Sequence, residues 1–417
     1  MLKQIFKIII NQRKSNYWIV AELLFVSICL WYIVNYMEVL RSVRNIPFGY
    51  NIENTYRIDL NERLEGSENY ISPDEKTTTS GEDLLSIMEL IRQYPSIESV
   101  SLSIASQPYA ATPYSQAYYK KLSYNKIGVS AQEYKVTPSF FDVFKTQSIT
   151  QKDLKQALNR HSVIISANAA TELLKGEEAI GKNIIVGENG EEKQITGEYV
   201  PVRWTEYFKA NPSFYTLLSE EEIIKNINSD NLSQMELCIR VKPDIKDDFI
   251  DKFIKDMAPK IMVGNIYLMD VRPSSYIRKA AVGSEESTIF VRTFLLGFLL
   301  INIFLGVSGV FGLRTQQRQN ELGLRIAVGS PKIKIQMLVI TEGFLLLSIV
   351  MIPVIIIALN FGLFELVHLD WVAFTFLRFI IGISITYAIM ALIILVGVWY
   401  PAYRATKINP TEVLRNE

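Results

Sequence analysis

The stretch TFLLGFLLINIFLGVSGVFGL, at residues 293–313, decides the fold class, because it is long, apolar and free of charged side chains. A helix of about 20 apolar residues crosses the hydrocarbon layer of a membrane, where an unpaired backbone group is costly. Three further apolar stretches of this kind lie at residues 17–37, 335–359 and 379–400. The sequence therefore predicts four transmembrane helices. The second covers residues 288–313, which are the quoted stretch and the five residues before it.

Lysine and arginine residues next to the spans predict the orientation, because cytoplasmic segments are enriched in them. We therefore place the amphipathic N-terminal segment 1–16, the loop 314–334 and the tail 401–417 in the cytoplasm. Residues 38–287 then form a large external domain, and residues 360–378 form a short external loop. The first span lacks a small-residue cleavage site, so it is interpreted as an uncleaved anchor. The basic residues concerned are Lys3, Lys7, Arg13, Lys14, Arg314, Arg318, Arg325, Lys332, Lys334, Arg404, Lys407 and Arg415.

The composition narrows the functional classes. The chain has 417 residues, 49% of them hydrophobic, and a formal net charge of zero, which gives no basic field for nucleic acid. Its two cysteines, Cys29 and Cys238, lie in regions of different polarity and are not expected to pair. The two histidines, His161 and His368, have no neighbours with metal-ligand spacing. No pattern of catalytic residues stands out either, so we expect no catalytic, metal or cofactor site, and the chain by itself is not expected to be an enzyme.

Two acidic residues, Glu22 and Glu342, lie inside the predicted spans or at their edges. Each is either a buried polar contact with a functional role or a carboxylate close to the cytoplasmic interface. The interfacial interpretation is preferred from the sequence.

Patterns at both ends of the external domain predict two β-α-β units, which could together form one split ferredoxin-like α+β lobe. Residues 104–230 between them are predicted to form an inserted, β-rich lobe. The helical patterns at 38–46 and 274–290 are expected to continue the first two spans outward as a stalk. The predicted strands are 56–60, 97–103, 234–241 and 265–271, and the predicted helices are 82–93 and 247–257.

The segment GEEAIGKN at residues 176–183 nearly matches a phosphate-binding loop. Its last position is Asn183, which lacks the hydroxyl that binds Mg²⁺, and its two glutamates would repel phosphate. The topology also places it outside the cell, so we interpret it as something other than a nucleotide site.

The loop RTQQRQNELGLRIAVGSP, at residues 314–331, predicts a short amphipathic helix. In a helix, Arg318 meets Glu321 three residues on, and Glu321 meets Arg325 four residues on. Leu322 and Ile326 share a face, and Gly329 begins a turn that ends the helix. From this spacing alone, the helix either lies on lipid or docks into a soluble partner.

Several motifs resemble those of the MacB/FtsX-type permeases, the mechanotransmission or type VII ABC transporters. QNELGLRIAVG (319–329) resembles the family's coupling segment RxxEIGIRxAxGA, although Gln319 and Asn320 are less usual there. YPAYRATKINPTEVLR (400–415) resembles its tail, PAxRAxxxxPxEALR. In the external domain, VTPSFFDVF (136–144), SVIIS (162–166) and AIGKNI (179–184) resemble VxPxFFxVF, VVIS and PIGKxI. The last match explains the near-miss phosphate loop as a structural turn.

The resemblance implies a permease of the bacterial inner membrane whose large periplasmic domain has a porter-type lobe and an inserted lobe. It implies a homodimer, or a pair with a homologous permease, and a separate dimeric ATPase that binds ATP and Mg²⁺ in the cytoplasm. A periplasmic adaptor and membrane lipid are further expected partners. The implied activity is efflux or release of a periplasmic or membrane substrate, and the alternatives are regulation of an envelope hydrolase without transport, as in FtsX, and a membrane-anchored sensor or scaffold. The residues expected to couple to the ATPase are Arg318, Glu321, Leu322, Gly323, Arg325, Ile326 and Gly329, and those of the tail motif are Pro401, Arg404, Pro410 and Leu414.

Overall fold

The computed structural model describes residues 13–72, 74–109, 119–150, 153–187, 190–228, 231–244, 248–364 and 374–405. It divides the chain into two compact units. The membrane unit consists of Met1–Asn45 and Glu285–Glu417, and the external unit consists of Ile46–Ser284.

The described elements follow one another in chain order. The helices are α1 (Arg13–Arg44), α2 (Ser80–Arg92), α3 (Phe140–Phe144), α4 (Leu154–Ala157), α5 (Ala167–Leu174), α6 (Glu220–Asn226), α7 (Phe249–Met257), α8 (Ser274–Gln317), α9 (Gln319–Ala327), α10 (Lys332–Leu363) and α11 (Phe376–Ala405). The strands are β1 (Thr55–Glu62), β2 (Ile97–Ile104), β3 (Tyr119–Tyr124), β4 (Ile127–Val136), β5 (Ser162–Ser166), β6 (Asn183–Val186), β7 (Glu191–Tyr199), β8 (Ser213–Leu217), β9 (Met235–Val241), β10 (Met262–Val263) and β11 (Ile266–Pro273).

Among the residues that the structure describes, four helices, α1, α8, α10 and α11, are long and apolar enough to cross a membrane, which confirms the membrane part of the predicted fold class. Each of them has at least 30 residues, more than the about 20 that a crossing requires, and α8 is the longest of the four. At about 1.5 Å per residue, the 44 residues of α8 make a helix of about 66 Å, whereas the hydrocarbon layer is about 30 Å thick. Helix α8 begins directly after β11, so the predicted stalk stretch 274–290 is helical. Helix α1 continues to Arg44, so the predicted stretch 38–46 is helical except for its last two residues.

The membrane unit buries one apolar core to which all four long helices contribute, for example Leu23, Phe311, Leu347 and Ile394. Other apolar side chains on the same helices, such as Phe298, are exposed in the chain by itself. This distribution suits a helix bundle surrounded by lipid. One basic residue, Arg378 on α11, stands just before the predicted fourth span, at the end expected to face outward. Its Nε donates to Asn35 Oδ1 of α1 at 2.9 Å.

One lobe of the external unit has the strand order β11-β1-β9-β2, and all neighbouring strands are antiparallel. Helix α2 follows β1 and α7 follows β9, so the order is that of a split ferredoxin-like fold, as predicted. The apolar faces of the sheet and of both helices meet in one buried core, which includes Leu84, Ile87, Leu237, Ile239 and Phe253.

The other lobe is the insertion between β2 and β9. Its strands run β4-β3-β6-β7-β5-β8, and β8 also pairs in parallel with β4, which closes the six strands into a small barrel. The sequence predicts short strands here but not the closure. Pairing of Ser103 with Val136 joins β2 to β4 and makes the two lobes one continuous sheet.

Candidate coupling site

Helix α9 is a separate short helix between two long apolar ones. Its N-terminal boundary is Arg318, whose backbone leaves the helical conformation at φ −100° and ψ 18°. Its C-terminal boundary is the turn at Gly329, whose φ of +92° favours glycine. The structure therefore contains the predicted short helix, which is bounded by one non-helical residue, Arg318, and by the turn at Gly329.

The two faces of α9 differ in burial. Leu322 is 1% exposed and belongs to the core of the membrane unit, Gly323 is also buried, and Ile326 packs against the same core. On the opposite face, Leu324 is 56% exposed and Val328, just past the helix, is 81% exposed. The face that the sequence nominates for contact, with Leu322 and Ile326, therefore packs inward, and the exposed apolar side chains are Leu324 and Val328.

Both predicted ion pairs of the loop are present. Arg318 Nε and Nη2 donate to Glu321 Oε2 and Oε1 at 3.0 and 3.3 Å, and Arg325 Nη2 donates to Glu321 Oε1 at 2.8 Å. Partial burial by itself would raise the pKa of Glu321, but the hydrogen bonds and charges of Arg318 and Arg325 outweigh it and lower this pKa below its ordinary value.

Glu342 makes the buried polar contact that the sequence analysis ranks second. Its side chain on α10 is 3% exposed. Glu342 Oε2 accepts from Arg318 Nη1 at 2.7 Å, and Oε1 accepts from Arg314 Nη1 at 3.4 Å. Both carboxylate oxygens are engaged away from solvent, which is the contact that the other interpretation describes. In the sequence, Glu342 stands out as a charged residue inside an apolar run. Its partners Arg318 and Arg314 lie 24 and 28 residues away along the chain, so the local pattern does not indicate them.

The tail motif is described only at its start. Pro401 lies inside α11 and is buried, whereas Arg404 near the end of that helix is exposed. Pro410 and Leu414 lie outside the described residues, so their expected role stays a prediction.

The segment 176–183 forms a turn before β6. Gly181 has a φ of +86°, and its N–H donates to Ile195 O at 2.7 Å. Lys182 forms an ion pair with Glu177 and donates to the Tyr124 hydroxyl at 3.1 Å. These contacts agree with the interpretation of the segment as a structural turn.

A group of contacts in the external unit has no counterpart among the patterns of the sequence. We name it the base clamp, and it consists of Ile46, Tyr109, Arg203, Glu206 and Arg278. Glu206, in the loop between β7 and β8, forms an ion pair with Arg278 on α8 and accepts from the Tyr109 hydroxyl at 3.0 Å. Arg203, in the same loop, donates to Ile46 O at 2.5 Å. The base clamp thus ties the barrel lobe to both places where the chain enters and leaves the external unit.

Burial and the neighbouring carboxylate of Glu206 raise the pKa of the Tyr109 hydroxyl, so it remains a donor at neutral pH. Sequence reasoning had no signal for the clamp, since its partners lie 72 to 157 residues apart.

Comparisons with known proteins gave matches among solved structures alone. No protein-family model matches the chain, and a search of curated proteins finds no significant relative. The periplasmic region of MacB from Actinobacillus actinomycetemcomitans matches at 16% identity over 58% of this chain and 97% of its own, with a TM-score of 0.34. A domain of a Porphyromonas gingivalis protein named as a permease matches at 12% identity over 55% and 93%, with a TM-score of 0.35.

The extracellular domain of the ABC-type transporter YknZ from Gram-positive bacteria matches at 16% identity. That match covers 52% of this chain and 100% of the other, with a TM-score of 0.31. Over 52% to 58% of its length, the chain is similar to solved domains of MacB, of YknZ and of a protein named as a permease.

Proposed function

We propose that this chain is the permease subunit of an ABC-type machine in which α9 docks on a separate cytoplasmic ATPase. The observation that supports this proposal is the outer face of α9. Leu324 and Val328 present exposed apolar side chains next to Gln319, Asn320 and Glu321, while the inner face is anchored in the core of the membrane unit. An anchored helix with an exposed mixed face suits a helix-in-groove contact.

The same proposal gives the long helices a mechanical role. Helix α8 is one continuous helix from Ser274 to Gln317. Arg318 N–H donates to Arg314 O and Leu322 N–H donates to Arg318 O, so backbone hydrogen bonds continue from α8 into α9 and movement of α9 has a path along the chain into α8. ATP and Mg²⁺ would be bound by the partner ATPase, and a second permease copy would complete the machine in the bacterial inner membrane. The interior of the membrane unit is packed with apolar side chains, which favours transmission of movement over passage of cargo through this four-helix core.

Co-purification and crosslinking test the docking. We would place cysteines at Leu324 and Val328 in a background with Cys29→Ala and Cys238→Ala, and crosslink membranes of the native host. We expect both positions to crosslink to an ATPase subunit identified by mass spectrometry. A cysteine at Ile352, which is also exposed but lies in the middle of α10, is the matched control and should not crosslink to it.

An ATPase that is absent from both the purified complex and the crosslinked products would refute the proposal. Labelling of both positions by a lipid-phase reagent instead would favour the alternative that α9 lies on the membrane surface. Regulation of an envelope hydrolase would use the same coupling to the ATPase but have a different output. To distinguish it from transport, hydrolase activation and substrate release are both measured with the active complex and with a complex whose ATPase is inactivated. A sensor or scaffold would keep its activity when the ATPase is inactive.

A further inference from the structure

Glu342 has a tightly defined position in the membrane unit. Its neighbour on α10, Gly343, marks a close approach of helices, because a Cβ atom there would lie 2.7 Å from Ile394 Cγ2 and 3.4 Å from Phe311 Cζ. Helices α8, α10 and α11 are therefore in close contact at this level. A carboxylate on this part of α10 has little freedom to move.

The carboxylate of Glu342 joins three elements. Arg314, near the end of α8, donates to Oε1, and Arg318, the residue between α8 and α9, donates to Oε2. The Nε and Nη2 atoms of the Arg318 guanidinium donate to Glu321 on α9. Arg318 is therefore held between a carboxylate of α10 and a carboxylate of α9, in the fixed planar geometry of its guanidinium.

We propose that Glu342 is the positioning residue of α9, which sets the angle between that helix and α10. Helix α9 ends at the turn of Gly329, so α9 and α10 are not one continuous helix and their angle needs contacts between side chains to hold it. Leu322 holds α9 against the core, but an apolar contact permits rotation, whereas a carboxylate with two guanidiniums is directional. Displacement of α9 then reaches α10 through Glu342 as well as α8 through the chain. The importance of this for ATP coupling rests on the proposed function, but the geometry can be measured without any ATPase.

The test measures the distance between α9 and α10 in the full-length chain in lipid nanodiscs. Spin labels at Leu324 and Met337, both exposed, report this distance by electron paramagnetic resonance, with Cys29 and Cys238 replaced by alanine. We expect one narrow distance distribution in the parent and a distribution at least twofold broader in Glu342→Gln. The substitution Ser348→Ala on the same helix is the control and should leave the α9–α10 distribution unchanged. It removes a hydroxyl that is bonded to Phe344 O in α10 and lies 3.1 Å from the Tyr387 hydroxyl of α11.

A second label pair separates positioning from a general loss of packing. Labels at Ile352 on α10 and Leu392 on α11 should give the same distribution in Glu342→Gln as in the parent. Arg318→Met is the second variant, because it removes the connection to α9 while Glu342 keeps Arg314. It should broaden the α9–α10 distribution as well, and it decides the question if Glu342→Gln fails to reach the membrane.

The inference is overturned if Arg318→Met or a correctly inserted Glu342→Gln leaves the α9–α10 distribution narrow. Equal broadening of the α10–α11 pair would also overturn it, because the residue would then only support packing. Recovery of the ATPase in a pull-down is scored separately. Its absence refutes the proposed function and leaves the distance result standing.

Discussion

The base clamp of the external unit gives the prediction that the structure defines most closely. Its central residue is Glu206, which is held by Arg278 on one side and by Tyr109 on the other. In Glu206→Gln, the amide oxygen can still accept from the Tyr109 hydroxyl, and the side chain keeps its size. The substitution therefore removes the ion pair with Arg278 and little else.

The magnitude follows from burial. Hydrogen bonds to charged groups contribute about 1.5–3 kcal/mol, whereas exposed ion pairs contribute about 0–1 kcal/mol. The side chains of Glu206 and Arg278 are 14% and 38% exposed, so the pair lies between these cases. We expect Glu206→Gln to cost about 1–2 kcal/mol of local stability, after discounting for the exposure of Arg278. Since about 1.4 kcal/mol is tenfold in an equilibrium constant, local opening should rise about 5- to 30-fold.

Hydrogen exchange followed by mass spectrometry on the full-length chain measures this opening. We expect faster exchange in Glu206→Gln for peptides that cover residues 202–208 and the first turns of α8. The control is Glu221→Gln, which breaks the ion pair between Glu221 and Arg160. Both of these side chains are mostly exposed, so we expect no measurable change in exchange in this variant. Equal exchange in the parent and in Glu206→Gln would refute the claim that this pair holds the loop to α8.

Three further predictions follow from burial and charge. Leu322→Ala should lower the free energy of unfolding by about 2–5 kcal/mol because it leaves a cavity in the core. Leu324→Ala on the exposed face should change it by less than about 0.5 kcal/mol, and denaturant titration in detergent compares the two variants. Burial raises the pKa of Glu236 above its ordinary value of 4.5, despite hydrogen bonds from the backbone of Ser106 and Gln107, so the folded state binds this proton more tightly than the unfolded state. The stability contributed by this group should therefore fall as the pH rises above about 4.5. Urea titrations between pH 4.5 and 7 measure how the free energy of unfolding changes with pH, and Glu236→Gln should remove this group's part of that change. An identical pH dependence in parent and variant would contradict this. Burial also raises the pKa of the Cys238 thiol. A water-soluble maleimide at pH 7.5 should therefore modify Cys238 far more slowly than a cysteine placed at Leu324. Equal rates of modification would show that the strand β9 opens.

The coarse secondary structure of the external unit was readable from local patterns. Alternation predicted strands at 56–60 and 97–103, where the structure has β1 and β2, and apolar periodicity predicted a helix at 82–93, where it has α2. These patterns are local because side chains repeat every two residues in a strand and every 3.6 in a helix. The closure of the barrel was not readable, since β4 and β8 pair in parallel across about 80 residues of chain and no local period encodes that contact.

The candidate coupling site shows the same division within a few residues. The spacing of Arg318, Glu321 and Arg325 predicted both ion pairs, because a helix places such residues side by side. The spacing also showed that Leu322 and Ile326 share a face, but it could not show which face is buried. That depends on the core of the membrane unit, which takes up Leu322 and leaves Leu324 exposed.

The sequence alone determined the four apolar helices, because lipid cannot satisfy backbone polar groups and each crossing must therefore be a long apolar helix. It also predicts the orientation from flanking charges, and it determined the existence of a short helix between the second and third spans. Only the tertiary structure decided what that helix is attached to. Glu342 becomes an anchor because folding brings Arg314 and Arg318 to it and buries all or most of each side chain. A carboxylate buried without such partners would be too costly.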